Sequence, residues 1–346
     1  MPEACQALDR LVSDVDSVDG VRLYFYDRDA RAGLLSGRRS SRQNGFLMAE
    51  TIKIAAIETG GTWGRLAHWL SAGFEAAGFE VELLKRGGEI PEIAHRLDSG
   101  EADLSVSTTF GARAGSLGKV PYDRKLKIKG IAEIQYPVHW FINMMRTDTE
   151  LQSFEELVEK KPPLRLCLPS PDLLVSYPVK SIFRLFGIDP YRDIPRWGGE
   201  VITNFNAIPD LIATGRADGV FRENSPRRYD ISNRAEMSYF QLTKRQVQTI
   251  SEDLGIKTGQ IPSGTYHNQR EELRTLDAEG FTVLTRSDLA DDLAYRMARA
   301  IDRFTPSHYI GSSTFYSPRF AVHTGAPLHE GAARYYREQG YSLPPG

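Results

Sequence analysis

The stretch IPEIAHRLDSGEADLSV, residues 90–106, returns in shortened form at 208–221 as IPDLIATGRADGVF. Each copy runs Ile-Pro, an acid and an aliphatic residue, then a glycine, then Ala-Asp and an apolar run. Proline suits the first turn of a helix, and glycine the left-handed residue just past its end. In the longer copy Ile93, Ala94 and Leu97 make a short apolar stripe before Gly100. The residues after Ala-Asp have the length and composition of a strand. Each copy therefore predicts a helix, its glycine cap and the strand after it.

Working outward, TIKIAAIE (51–58) is an apolar run of strand length and ETGGT a turn. WGRLAHWLSAGFEAAG then places Leu66, Ala67, Leu70, Phe74 and Ala77 on one helical face and stops at Gly78, before the strand EVELLK. Strand, helix, strand, helix, strand at short spacing predicts an α/β fold with a mostly parallel sheet and right-handed crossovers. KIKGIAEIQYPVHWFINMM reads as two extended segments broken near Tyr136-Pro137. The rhythm then restarts: strand LRLCLP, helix SYPVKSIFRLFGI to Gly187, strand EVITNF, and the second copy of the phrase. FTVLTRSD is a further strand, and LADDLAYRMARAIDRF a helix on Leu289, Leu293, Met297, Ala300 and Phe304. HEGAARYYREQGY reads as a short terminal helix.

The expected organisation is a polar, poorly ordered extension over 1–47 with one short strand at VRLYFY, then two lobes. The first spans 48–145, the second 146–263, and 264–346 returns to the first. In open α/β sheets ligands bind beyond the carboxyl ends of the strands. The residues after the two copies would then face one another across a cleft. One larger sheet with two similar crossovers fits the same pattern.

Composition narrows the partners. The 346 residues are 41% hydrophobic and 25% charged with net charge −2, which gives no electrostatic reason to expect nucleic acid or an anionic membrane,. No apolar run approaches the ~18–20 residues that span a bilayer. Cys5 and Cys167 make no disulfide framework, and Cys167, inside LRLCL, reads as a buried thiol,. The first 47 residues interleave Asp and Arg where a secretory signal needs an apolar run, and a start at Met48 leads straight into a strand,. By this reading the chain is cytoplasmic.

With both halves in view, the chain resembles the two-lobed type II periplasmic binding proteins, and among them the TAXI group of TRAP-transporter receptors. The resemblance is carried by ETGGTWG (58–64), SGEADLSVS (99–107), YPVHWF (136–141), DLIATGRADGVF (210–221), IPSGTYHNQ (261–269) and PLHEGAARYYREQG (327–340), and it covers roughly residues 50 to 340. It implies lobes, each a doubly wound sheet with flanking helices, closing on a small organic anion. It also implies a periplasmic location, with transporter membrane subunits as partners if the chain is exported. Two segments depart from the family pattern: PSPDLLVSYP (169–178) replaces a Gly-Ser-Gly-Thr-type turn, and FRENSPRRYD (221–230) replaces small apolar residues.

Candidate ligand residues are chosen by chemistry and position. Thr59, Gly60, Gly61 and Thr62 open the first helix, where backbone amides and the helix dipole welcome an anion, although such a turn also forms without a ligand. Trp63 either covers the ligand or packs. Ser107, Thr108 and Thr109 offer uncharged donors after the third strand, or cap the next element. Ser170 and Asp172 hold the equivalent place in the second lobe, and Asp172 also fits a helix cap. Arg222, beside Glu223, presents a fork of donors matched to a carboxylate, or else joins a surface ion pair. Tyr136 and His139 lie in YPVHWF, which resembles the family's crossing strand between lobes, and His139 also fits a hydrogen bond within the core. The histidines lack metal-site spacing, so neither metal nor cofactor is expected.

Three functions fit. The first is a receptor that captures a carboxylate-bearing metabolite by domain closure. The second is a cytoplasmic enzyme on the same fold, such as a decarboxylase that holds one carboxylate on Arg222 and protonates the carbanion with His139 or Glu223. The third is a sensor that signals through residues 1–47.

Overall fold

The computed structural model describes residues 17–18, 21–22, 50–57, 62–86, 90–135, 140–223, 231–304 and 321–344. The chain divides into two compact units, Met1–Met48 and Ala49–Gly346. In the first, Ser17–Val18 pairs antiparallel with Val21–Arg22. The rest of the predicted extension lies outside the described residues.

The larger unit opens with β1 (Thr51–Ile57), α1 (Thr62–Ala76), β2 (Glu80–Arg86), α2 (Ile90–Asp98), β3 (Leu104–Thr108), α3 (Thr109–Leu117) and β4 (Ile128–Gln135). Next come β5 (Phe141–Arg146), α4 (Phe154–Lys160), β6 (Arg165–Cys167), α5 (Ser176–Arg184), α6 (Pro190–Arg196), β7 (Glu200–Ile202), α7 (Ile208–Ala213) and β8 (Gly219–Glu223). The chain closes with β9 (Met237–Tyr239), α8 (Lys244–Leu254), β10 (Lys257–Ile261), β11 (Leu273–Asp277), β12 (Phe281–Arg286), α9 (Asp291–Phe304) and α10 (Glu330–Glu338).

The repeated phrase folds alike both times. Gly100 and Gly215 stand at φ +77° and +67°, a region glycine enters without steric cost, and each turns its helix toward the next strand,. β3 lies parallel to β1, and β8 parallel to β6. Two five-stranded sheets result, ordered β2-β1-β3-β12-β4 and β9-β5-β8-β6-β7. Each is mixed, with one reversed strand: β12 in the first, β5 in the second. β5 is entered by chain arriving from the first sheet, and β12 by chain arriving from β11, which pairs antiparallel with β10 in a separate two-stranded sheet.

That detail orients the molecule. Thr108 at the end of β3 and Gln135 at the end of β4 both sit level with Phe281. In the second sheet, Glu223 at the end of β8 sits level with Phe141, the first residue of β5. The carboxyl ends of both sets of parallel strands therefore converge on the two crossings, which touch at the bridge between Trp140 and Asp277.

Each sheet buries an apolar layer. α1 lays Leu66, Leu70 and Phe74 on the first, beside Met297 and Ile301 of α9. The second is built on Phe154, Phe183 and Phe221, ring centroids 5.0–5.6 Å apart. Each such ring contributes about 1.5–3 kcal/mol of burial. This second layer also takes in Phe110 of α3, so the first half's helix is packed into the second half's core. No helix among the described residues is long and apolar enough to cross a membrane.

Candidate functional site

The first sheet brings uncharged polar groups to the convergence. Thr108 is the N-cap of α3, its hydroxyl accepting from Gly111 N at 3.1 Å, so its capping role is satisfied locally,. Ser107 Oγ and Thr109 Oγ1 are buried with no hydrogen-bond partner among the described residues. Leaving a buried hydroxyl unmade costs about 1–3 kcal/mol, and Thr109 has the Glu133 carboxyl close enough to offset part of that cost,. Thr109 N donates to Gly280 O at 2.9 Å and ties α3 to the return crossing.

Beside Thr109 stands Glu133 of β4, 4% exposed. Its carboxyl neighbours the Thr109 hydroxyl without closing a well-formed hydrogen bond. Burial, reinforced by the charge of Glu279, pushes it up to about 9 against the opposing pull of Lys257 and Arg113. It is a neutral acid at physiological pH. Asp277, on the crossing, is likewise raised by burial to about 6.

Glu279 itself is braced between the halves. Arg113 of α3 grips it with both terminal guanidinium nitrogens, at 2.5 and 2.9 Å, and Lys257 of β10 approaches to 2.6 Å. Arg113 also donates to Gly255 O at 3.2 Å and Lys119 to Glu252 O, both at the carboxyl end of α8, where the helix dipole favours cations,.

Charge gathers in the second sheet. β8 runs two residues beyond the predicted end at Phe221, because Arg222 and Glu223 pair with Ile142 and Phe141 of β5. Arg222 is therefore neither in a solvated turn nor in a surface ion pair: its side chain is 4% exposed, with Nη2 3.2 Å from Glu223 Oε1. Tyr191 of α6 lies close enough to feel the charges of Arg222, Glu223 and Asp172, and burial raises its ionisation. Its hydroxyl donates to Pro169 O at 2.7 Å.

The Pro-Ser-Pro-Asp loop after β6 is held by side chains. Pro171 O accepts from Ser176 Oγ at 2.7 Å and from Lys180 Nζ at 2.6 Å. Lys180 stands 4.8 Å from the Tyr177 ring centre and 5.4 Å from that of Tyr191, a cation–π arrangement,. Ser170 is half-buried and Asp172 exposed. Asp172 does not cap α5, whose cap position is Val175 with no side-chain bond.

The structure thus brings Ser107, Thr108 and Thr109 to one end of the first sheet, and Ser170, Asp172, Arg222 and Glu223 to the facing end of the second. Thr62 and Trp63 form the first turn of α1. Thr59, Gly60, Gly61, Tyr136 and His139 lie outside the described residues. Sequence reasoning missed Tyr191, Lys180 and Glu133. An acid inside the apolar strand IKGIAEIQ was the available signal for Glu133. Elsewhere, carboxylate and ring-nitrogen atoms of Asp291, His329 and Glu330 come within 4.8 Å of one another. Both nitrogens of His329 are engaged, Nε2 with Leu289 O at 3.0 Å and Nδ1 with Gly331 N at 3.2 Å.

Residues 54–340 match the NMT1-like family. The chain belongs to it. Solved structures similar to this NMT1-like chain include a binding protein component of an ABC phosphonate transporter from Pseudomonas aeruginosa, 12% identical, covering 78% of this chain and 82% of that one at a TM-score of 0.45. PhnD1 from Prochlorococcus marinus, in complex with methylphosphonate, is 9% identical, with coverage of 85% and 99% and a TM-score of 0.44. The periplasmic binding protein BugD is 11% identical, with coverage of 84% and 94% and a TM-score of 0.44. No curated protein matches. The NMT1-like chain has an α/β architecture built on two five-stranded mixed sheets with flanking helices.

Proposed function

We propose that this NMT1-like chain is a solute receptor that captures a small organic anion bearing a carboxylate where its two sheets converge. The observation that carries the reading is Arg222, a buried guanidinium at the carboxyl end of β8 whose charge reaches Tyr191. Charge-assisted hydrogen bonds in a closed cleft supply the affinity. The finer reading, a TAXI-type receptor serving TRAP membrane subunits from the periplasm, rests on the motifs from ETGGTWG to PLHEGAARYYREQG. Calorimetric titration with succinate, glutarate and L-glutamate tests the anion reading. Arg222→Lys, which keeps the charge but loses the fork, is expected to weaken the best of these about tenfold or more, as a charge-assisted bond worth ~1.5–3 kcal/mol requires. Unchanged affinity in a folded variant removes Arg222 from the site.

One observation favours the decarboxylase reading as well: Glu133, protonated near neutral pH, is a proton source beside the convergence. Carbon dioxide release from aromatic or aliphatic acids by the purified protein separates the two readings.

A further inference from the structure

We infer that Leu174 and Gly111 form a knob and socket that sets how closely the two halves shut over the Ser107 hydroxyl. The inference rests on the reading of the convergence as the binding site, and it adds the pair that governs closure. Gly111 lies in the first turn of α3 and has no positive φ, so no backbone strain demands a glycine there. The demand is steric and comes from the other half. A Cβ at 111 would stand 2.2 Å from Leu174 Cδ2, 2.9 Å from Ser107 Oγ and 2.9 Å from Thr108 Oγ1.

None of the three neighbours yields easily. Leu174 is fully buried, packed with Val175, Val179 and Phe183 in the second half's apolar layer, and a close-packed interior leaves it little rotamer freedom,. The Thr108 hydroxyl is held by its cap bond to Gly111 N. Ser107 Oγ has no bond to hold it among the described residues, but turning aside does not relieve the clash with Leu174. A methyl group at 111 therefore pushes the Leu174 loop off α3 and the halves apart. The same contact has a chemical consequence. Leu174 Cδ2 and Ser107 Oγ flank the same empty Cβ position of Gly111, so the apolar knob stands near that hydroxyl.

The test uses the full chain on a Cys5→Ser background, Cys167 being buried. Spin labels are placed at Lys125→Cys in the first half and Glu159→Cys in the second, both exposed. The expected result is a shifted or broadened interlabel distance distribution for Gly111→Ala by double electron–electron resonance. Leu174→Ala alone should keep the parent distribution, and Gly111→Ala with Leu174→Ala should restore it. Succinate titration is expected to agree: about tenfold weaker for Gly111→Ala, equivalent to ~1.4 kcal/mol, with recovery in the double variant. An unchanged distribution in Gly111→Ala, or a double variant that does not return, overturns the pair. If Gly111→Ala fails to fold by circular dichroism, a folded double variant supports the pair and an unfolded one overturns it. Should succinate and the other acids fail to bind the parent protein, the anion reading falls, while the distance measurement still decides the knob and socket.

Discussion

The carboxyl ends of the parallel strands in the two sheets carry opposite chemistry. On the first sheet the groups are neutral: Ser107 and Thr109 hydroxyls and a Glu133 carboxyl that burial keeps protonated. On the second they are charged and already balanced, Arg222 against Glu223, with Lys180 set between two tyrosine rings. A buried charge costs more to leave unpaired than a buried hydroxyl does. The difference teaches that the second half supplies charge, Arg222 beside Glu223, while the first supplies neutral groups.

That contrast can be broken from either side. The largest effect is expected from Arg222→Ala, which removes a buried guanidinium and its ion pair with the partly exposed Glu223 carboxylate. Urea unfolding should show a loss of about 3–5 kcal/mol, and the double variant Arg222→Met, Glu223→Leu should recover most of it. Next comes Glu133→Gln. In the parent protein the folded-state value, about 9, lies above the ordinary 4.5, so the folded chain holds a proton that the unfolded chain releases. Stability is then fully present below pH ~4.5 and falls as pH rises toward ~9. The amide removes that slope, and at pH 8 the variant is expected to be more stable by about 2–4 kcal/mol. A parallel pH profile in both proteins would mean that Glu133 is ionised.

A smaller loss, about 1 kcal/mol, is expected for Thr108→Ala through its cap bond to Gly111 N,. The smallest belongs to Ser107→Ala. Its buried hydroxyl has no partner among the described residues, so removing it should leave stability unchanged or raise it by up to about 1–3 kcal/mol in thermal unfolding,. If Ser107 meets the ligand, affinity falls while stability does not. A clear destabilisation would show that the hydroxyl already serves the fold.

Much of the architecture was legible in the residue pattern. The helical spacing of Leu66, Leu70 and Phe74, the glycine caps at 100 and 215, and the short spacing of strand-like runs led to two α/β halves. Some local signals went unread: Thr243 and Gln246 form a capping box that starts α8,. The candidate site was legible only in outline. Arg222 could be placed at a strand end, but its burial depends on pairing with β5, whose residues lie about eighty positions earlier. Tyr191 and Lys180 reach the Pro-Ser-Pro-Asp loop from separate helices.

Alone, the sequence determined the periodic elements, their glycine stops and the parallel crossovers, because those depend on side chains within a few residues of one another. Only the tertiary structure decided which groups are buried, which carboxyl keeps its proton and why residue 111 has no side chain. Desolvation and steric exclusion arise from atoms that the chain brings together over long separations, and no local pattern records them.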